Sequence, residues 1–502
     1  MNDKYEAFLK YQKRLAAYGA AFALFGWDQE TLSPKGATEK TAELEGVLSG
    51  EIYAISTDPE YKALVKDLLN DETLSEDEHE LIRKTEKEIR MTDAVPKELI
   101  ERETVLNLKC VAAWLEAKQK NDFSIFLPLL SEMIELKKQI AAFQNEDGRA
   151  LYDVLLDAYE EGFTMEKLDP FFALLRREIV PLLKKAKAGN DRIRTDFLTR
   201  RFSVSKQKKF NRMIAEYVGL DLNRAVIGET EHPFTNALHM DDVRITTKYR
   251  PNMVSDTLFS TIHESGHAIF EQGHDERYAF VPASSISTGL HESQSRLYEN
   301  MIGRSEAFWT PLYPKLVRAF PEQLGDVTLT EWIRAINRAD ATLIRTEADE
   351  LSYCLHIMVR YEVEKKIFNE NYPVSELPKL WNCLYREYLG IEVPDDRQGI
   401  LQDVHFASGL FGYFPSYAIG NAIAAELYEA MDRDIDVDRV LREGHPEKVK
   451  AWLHENVHVY GGVRPVERIL KDATGHGFDP KYYVNYLKRK FKALYSEDAK
   501  VK

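Results

Sequence analysis

The chain has 502 residues, 44% hydrophobic and 30% charged, enough to bury one large core or two to three smaller ones. A formal net charge of −15 argues against a nucleic-acid or anionic-membrane partner, either of which calls for a basic surface. Cys110, Cys354 and Cys383 lie far apart with no paired spacing, which argues against a disulfide framework or a cysteine metal site and for a reducing compartment.

The opening MNDKYEAFLK lacks the shape of a signal peptide. The most apolar early run, Leu15 to Trp27, is too short to span a bilayer and contains Gly19 and Gly26. A cytoplasmic protein with no membrane partner is expected. Tyr11, Leu15, Tyr18, Phe22 and Phe25 recur at helical spacing and predict one amphipathic helix over residues 1 to about 30. Ser33-Pro34-Lys35-Gly36 breaks it, and a second helix follows from about Glu39. The mixed-charge run from Ser75 to Arg90 reads as a solvated helix face. Helical patterns continue over 97–121, 127–145, 148–161 and 165–188, with breakers at Asp147-Gly148 and Asp169-Pro170. With no low-complexity linker and no internal repeat, residues 1–502 read as a single, almost wholly helical domain.

Asp242 to Tyr249 is the one convincing strand, alternating and rich in β-branched residues. It either offers backbone groups to an extended peptide or forms a short hairpin that supports the next helix. That helix is predicted over Ser255 to Phe270, with Ile262, Ile269 and Phe270 on its apolar face. Ser255 or Asp256 can cap its start, and Gly273 can end it.

Within this helix stands His263-Glu264-Ser265-Gly266-His267, an H-E-x-x-H sequence. Residues i and i+4 share a helix face, so both imidazoles can reach one metal ion, with Glu264 beside them. Two neutral histidine ligands and a carboxylate able to deprotonate a water are the parts of a zinc peptidase. A third ligand must come from elsewhere. Gly289 to Ile302 reads as another helix and offers Glu292, Glu299 and His291; spacing alone does not choose between Glu292 and Glu299.

The chain resembles the carboxypeptidase Taq family of thermostable-type zinc metallocarboxypeptidases, within the gluzincin group. H-E-x-x-H is His263 to His267, and the H-E-S-[GQ] motif is His291-Glu292-Ser293-Gln294. The resemblance makes its glutamate, Glu292, the third metal ligand beside His263 and His267. D-x-R-x-T is Asp242 to Thr246, I-[RA]-x-x-A-D is Ile344 to Asp349, and G-x-x-Q-D-x-H-W is Gly399 to Phe406, with Phe406 in place of the tryptophan. Trp27-Asp28 and Gly412 to Tyr417 extend the similarity over nearly the whole chain.

The resemblance implies a mainly α fold, neurolysin/angiotensin-converting-enzyme-like, as one large helical domain with a deep active-site cleft and a small β-sheet beside it. It also implies a homodimer, broad specificity with little taste for a C-terminal proline, and zinc, or cobalt, as the metal. Peptide hydrolysis passes through an oxyanion that needs a donor. His405 and Tyr417 are the candidates, their order resembling that of the related dipeptidyl carboxypeptidases, with Tyr413 as a rival. A terminal carboxylate needs a planar fork, which Arg345 can supply from a helix-like run over Ala341 to Tyr353. Otherwise Arg345 pairs with Glu347 or Asp349. Arg244 and Gln402 are further candidates for lining the site. The expected enzyme takes peptides as substrates, with Glu264 as base and Glu264, His405 and Tyr417 as catalytic residues. A zinc oligopeptidase or dipeptidyl carboxypeptidase, or a metal-bound helical scaffold without catalysis, are the alternatives.

Overall fold

Helical periodicity governs the chain from its first described residue: 69% is helix and 3% is strand. The structure, a computed structural model, describes residues 3–280 and 286–496. Helices α1 (Asp3–Thr31), α2 (Thr38–Ser56), α3 (Pro59–Leu68) and α4 (Glu76–Asp93) open the chain, a short 3-10 turn at Lys35–Ala37 standing where the Pro-Gly break is expected. The start of α4 is fixed by a capping box. Ser75 Oγ accepts from the Glu78 backbone, and Glu78 reaches back to the Ser75 N–H at 2.7 Å. Only Leu81, Ile82 and Thr85 of α4 are buried, so its charged face is solvated as expected. Leu81 and Ile82 pack with Tyr5 and Phe8 of α1 and with Tyr61, Val65 and Leu68 of α3 in one cluster.

Helices α5 (Lys97–Lys120), α6 (Leu127–Phe143), α7 (Leu151–Asp157) and α8 (Met165–Gly189) follow the predicted order. Two expectations are corrected here. α7 is shorter than 148–161: Gly148 sits at positive φ, outside helical conformation, and after Asp157 the chain tightens into turns, the Tyr159 N–H donating to Leu156 O at 3.1 Å. Asp169-Pro170 breaks nothing, because α8 runs through it. Burial of Leu168, Phe171, Phe172 and Leu175 on one face outweighs the hydrogen bond that Pro170 cannot donate.

After α9 (Val204–Tyr217) come β1 (Ala225–Glu229), β2 (Thr235–His239) and β3 (Asp242–Thr247), in the order β1-β3-β2. β1 runs parallel to β3 and β2 antiparallel. The predicted strand is therefore the central one. Its ladder is occupied on both sides, so it cannot add a substrate strand, and that reading of β3 fails. β1 and β2 went unread because one contains Gly228 and the other is five residues long. Gly228 is required by packing: a Cβ there would lie 2.8 Å from the Trp27 ring.

Val243 and Ile245 are fully buried, and Thr247 Oγ1 donates to Thr257 O on α10 (Val254–Glu271) at 3.3 Å. This face of the sheet thus carries the H-E-x-x-H helix. Neither Ser255 nor Asp256 caps α10, whose N-cap is Met253. The helix ends just before Gly273, where a Cβ would stand 2.6 Å from His458 Cβ.

The described residues fall into two compact units, each assembled from three separated segments. One lies within Met1–Arg90, Arg194–Ile336 and Gly420–Asp479, the other within Met91–Ile193, Asn337–Ile419 and Pro480–Lys502. No described helix is long and apolar enough to cross a membrane.

Candidate active site

Glycine lets the helices that carry the candidate donor set meet. α11 (Thr288–Arg296) packs on α10 where a Cβ on Gly266 would lie 2.7 Å from Ser295 Cα and 2.8 Å from Gln294 O. On the helix Pro415–Ile435, a Cβ on Gly420 would stand 2.9 Å from Glu292 Cβ. With both positions bare, Glu292 is held against α10. Among the described residues, His263, His267 and Glu292 form the group whose donor atoms lie within 4.8 Å of one another. Glu292 Oε2 is 3.9 Å from His263 Nε2 and 3.6 Å from His267 Nε2. Two ligands each about 2.1 Å from a tetrahedral metal stand roughly 3.4 Å apart, so the spacing fits a divalent ion.

The protonation states fit as well. Burial, with His291 close by, pushes His267 down to about 3, leaving a neutral ring with a lone pair to give. Burial works against ionisation of Glu292, but the Arg296 guanidinium together with the neighbouring His267 and His263 reverses it and holds the carboxyl well below the usual range. Arg296 Nε donates to Glu292 Oε1 at 2.6 Å, which leaves Oε2 for the imidazole side.

The rival Glu299 lies on a π-helical segment, Leu297–Ile302, that continues α11. Its Oε2 is 2.9 Å from His263 Nδ1 and also accepts from Arg296, while Oε1 accepts from Arg304 at 3.0 Å. It thus fixes the ring whose Nε2 faces Glu292, a usual arrangement behind metal-bound histidines. His291 is engaged elsewhere, with Nε2 2.9 Å from Glu271 Oε1 and its ring stacked on His267 at 4.3 Å. Glu264 is 6% exposed, and Thr235 Oγ1 donates to its Oε2 at 2.6 Å. Sequence reasoning missed Thr235, Arg296 and Glu271. Arg296 carried a signal, four residues beyond Glu292 on a helix; Thr235 carried none.

Arg244 lies on the opposite face of β3 from Val243 and Ile245. It forks onto Asp242 at 2.9 and 2.8 Å, with its guanidinium 5.8 Å from the Trp27 ring centre. α10 covers the other face of the sheet.

The second unit gathers Arg345, Gln402, His405 and Tyr417. Arg345 stands in a 3-10 turn, Arg345–Glu347, and the helix expected over 341–353 is absent. Asp349 is the reason. Its carboxylate accepts from the backbones of Asp340, Leu351 and Ser352 and from the Ser352 hydroxyl, so the next helix starts only at Tyr353. The partner of Arg345 is neither Glu347 nor Asp349. Arg345 Nε and Nη2 donate to Asp403 Oδ1 at 3.1 and 3.0 Å, and Nη1 donates to Tyr353 OH at 3.2 Å. Arg360, fully buried, donates from Nε to Asp403 Oδ2 at 2.8 Å, so two guanidinium groups share one carboxylate.

Gln402 Oε1 accepts from the Arg345 backbone and from Arg360, both at 2.9 Å, while its amide nitrogen donates to Leu343 O, Gln398 O and Tyr385 OH. It braces Arg345. His405 packs among Tyr413, Phe414 and Tyr417, and burial, then Arg345, pushes it down to about 4, so its ring is neutral. The Arg345 guanidinium lies 5.1 Å from the Tyr417 ring centre. Phe406 fills its place against Phe411 at 5.4 Å and Phe414 at 6.0 Å, and is 5% exposed.

Glu364, on the same helix as Arg360, is fully buried and accepts from Tyr152 OH at 2.9 Å and the Gly412 N–H at 2.7 Å. Burial pushes its carboxyl up to about 8. A carboxyl raised on folding stabilises fully below its unfolded value, and that contribution is lost as pH rises through the folded one. Stability should therefore fall between about pH 5 and 8, by on the order of 3–5 kcal/mol for this group. Glu364→Gln keeps an acceptor for both donors and should flatten the fall in Tm measured across that range.

A mainly helical fold with a His-His-Glu donor set is the make-up of a metallopeptidase. Residues 7–491 match the family model of carboxypeptidase Taq (M32) metallopeptidases, and the chain belongs to that family. It is 42% identical to "Carboxypeptidase 1" of Bacillus subtilis (strain 168), over 97% of this chain and 98% of that protein. It is 35% identical to "Thermostable carboxypeptidase 1" of Pyrococcus furiosus, over 98% and 99%. The crystal structure of the M32 carboxypeptidase from Deinococcus radiodurans R1 superposes with a TM-score of 0.95 at 34% identity, over 98% of this chain and 100% of that one.

Proposed function

We propose that the protein removes single amino acids from the free C-termini of peptides with broad specificity, using zinc, or cobalt, at His263, His267 and Glu292. The observation that carries this is the partly buried donor set, with Glu264 on the helix of its two histidines, in a chain of a metallocarboxypeptidase family. A divalent ion there would supply Lewis acidity to the water and to the scissile carbonyl. Glu264 takes the proton of the attacking water and returns it to the leaving amine. His405 and Tyr417 donate to the developing oxyanion. The neutral ring of His405 suits that part.

Arg345 takes the terminal carboxylate. Two guanidinium groups on one aspartate leave a buried excess of positive charge, and an unpaired carboxylate would be costly in a dry site. Arg345→Ala should cut kcat/KM for a free-acid peptide by about 10²-fold or more, with little effect on its C-terminal amide. Arg345→Lys should recover little, since ammonium lacks the fork. An equal loss on both substrates would make Arg345 structural. Arg244 and Gln402 are further residues lining the site, Gln402 also bracing the Arg345 backbone. Three cysteines free of disulfides suit a cytoplasmic protein, and the family resemblance supports a homodimer.

The test is to strip the protein with a chelator, restore zinc or cobalt, and follow one unblocked peptide by mass spectrometry. The expected result is loss of activity, recovery with either metal, and stepwise release of single C-terminal residues. Internal or two-residue cuts would make it an oligopeptidase or dipeptidyl carboxypeptidase instead.

A further inference from the structure

We propose that Thr235 is a positioning residue for the base, its hydroxyl anchoring one oxygen of Glu264 so that the other is presented to the water. The inference rests on the assignment of Glu264 above. Thr235 opens the edge strand β2 and pairs in register with Ile245 of β3. Directly opposed residues share a face of a sheet, and Ile245 faces α10, so the Thr235 side chain does too. Its Oγ1 lies 2.6 Å from Glu264 Oε2 and 3.2 Å from the Glu264 carbonyl oxygen. A hydroxyl has one proton to give. The shorter distance is that of a charge-assisted bond to a carboxylate, so the proton goes to Oε2.

That bond divides the two oxygens of the base. Oε2 is tied to the strand. Oε1 has no hydrogen-bond partner among the described residues and is the oxygen left to accept a proton.

The anchor is itself held on both sides. Phe234 exchanges bonds with Thr246, its N–H donating to Thr246 Oγ1 and its carbonyl accepting from the Thr246 N–H, each at 2.9 Å. Asn236 points to the other face and donates to Ala23 O of α1 at 2.6 Å. A β-branched side chain on a fixed backbone has few χ1 choices, so the hydroxyl is pre-aimed. Glutamate has three torsions to restrain, and a misplacement of about 1 Å in a catalytic group can cost about 10²-fold in rate.

The experiment compares Thr235→Val, which keeps shape and loses the donor, with Thr235→Ser, which keeps the donor, and with Thr235→Ala as a second deletion less prone to crowd the strand. Metal content, kcat and KM are measured for each, alone and combined with Glu264→Gln. Thr235→Val and Thr235→Ala should lower kcat by about 10–10²-fold with KM and metal content unchanged, and Thr235→Ser should retain most of the activity. Combined with Glu264→Gln, Thr235→Val should cost nothing further, because the group it positions is already gone. Donor-less variants within twofold of the unmutated protein overturn the proposal, as does a loss confined to KM or a Ser variant as impaired as Val. If Glu264→Gln itself stays active, the base assignment fails. If Glu264→Gln is dead while Thr235→Val is unaffected, only the inference about Thr235 fails.

Discussion

Glu264→Gln is expected to remove nearly all turnover while leaving the metal bound. Glutamine keeps the size of the side chain and can still accept the Thr235 hydroxyl, so the local packing around α10 should survive. What it lacks is basicity. General-base catalysis contributes about 10²–10⁴-fold, and a base that also returns the proton to the leaving amine serves both halves of the reaction, so a loss at the upper end is expected. Metal content by elemental analysis should match that of the unmutated protein, because His263, His267 and Glu292 form the donor set and Glu264 does not join it. A variant that keeps substantial activity, or loses its metal, removes Glu264 from the role of base.

The second large effect concerns the carboxylate ligand. Glu292→Ala should strip the site, since it deletes one of three donors and leaves the Arg296 guanidinium, which Glu292 pairs at 2.6 Å, beside the two imidazoles. Repelling a dication in this way compounds the lost ligand, and metal affinity should fall by more than the roughly 10–100-fold typical of changes behind the ligands. Glu299→Ala should stay within that smaller range, because Glu299 orients His263 through Nδ1 and lies outside the donor group. Chelator competition on the two purified variants measures both. A larger loss for Glu299→Ala would transfer the third position to Glu299.

Long amphipathic segments were legible in the sequence because burial repeats with the helical period. α1, α4, α5, α6 and α8 begin and end within a few residues of expectation. H-E-x-x-H was legible for the same reason, since i and i+4 meet on any helix. The choice of Glu292 over Glu299 was not legible from spacing. α11 passes into a π segment at Leu297, and nothing in the residue pattern announces that widening. The turn at Arg345 was hidden by the distant demand on Asp349, which gathers the donors that a continuous helix would have used internally. Thr235 reaches Glu264 only through the pairing of β2 on β3, a long-range register that a five-residue strand does not disclose.

If the enzyme works from a free C-terminus, as proposed, the terminal carboxylate decides which peptides it cleaves. The decisive measurement is kcat/KM of the metal-loaded, unmutated protein on one peptide as free acid and as C-terminal amide. A large preference for the acid is expected, with single residues released in order. Equal cleavage of the amide would contradict it.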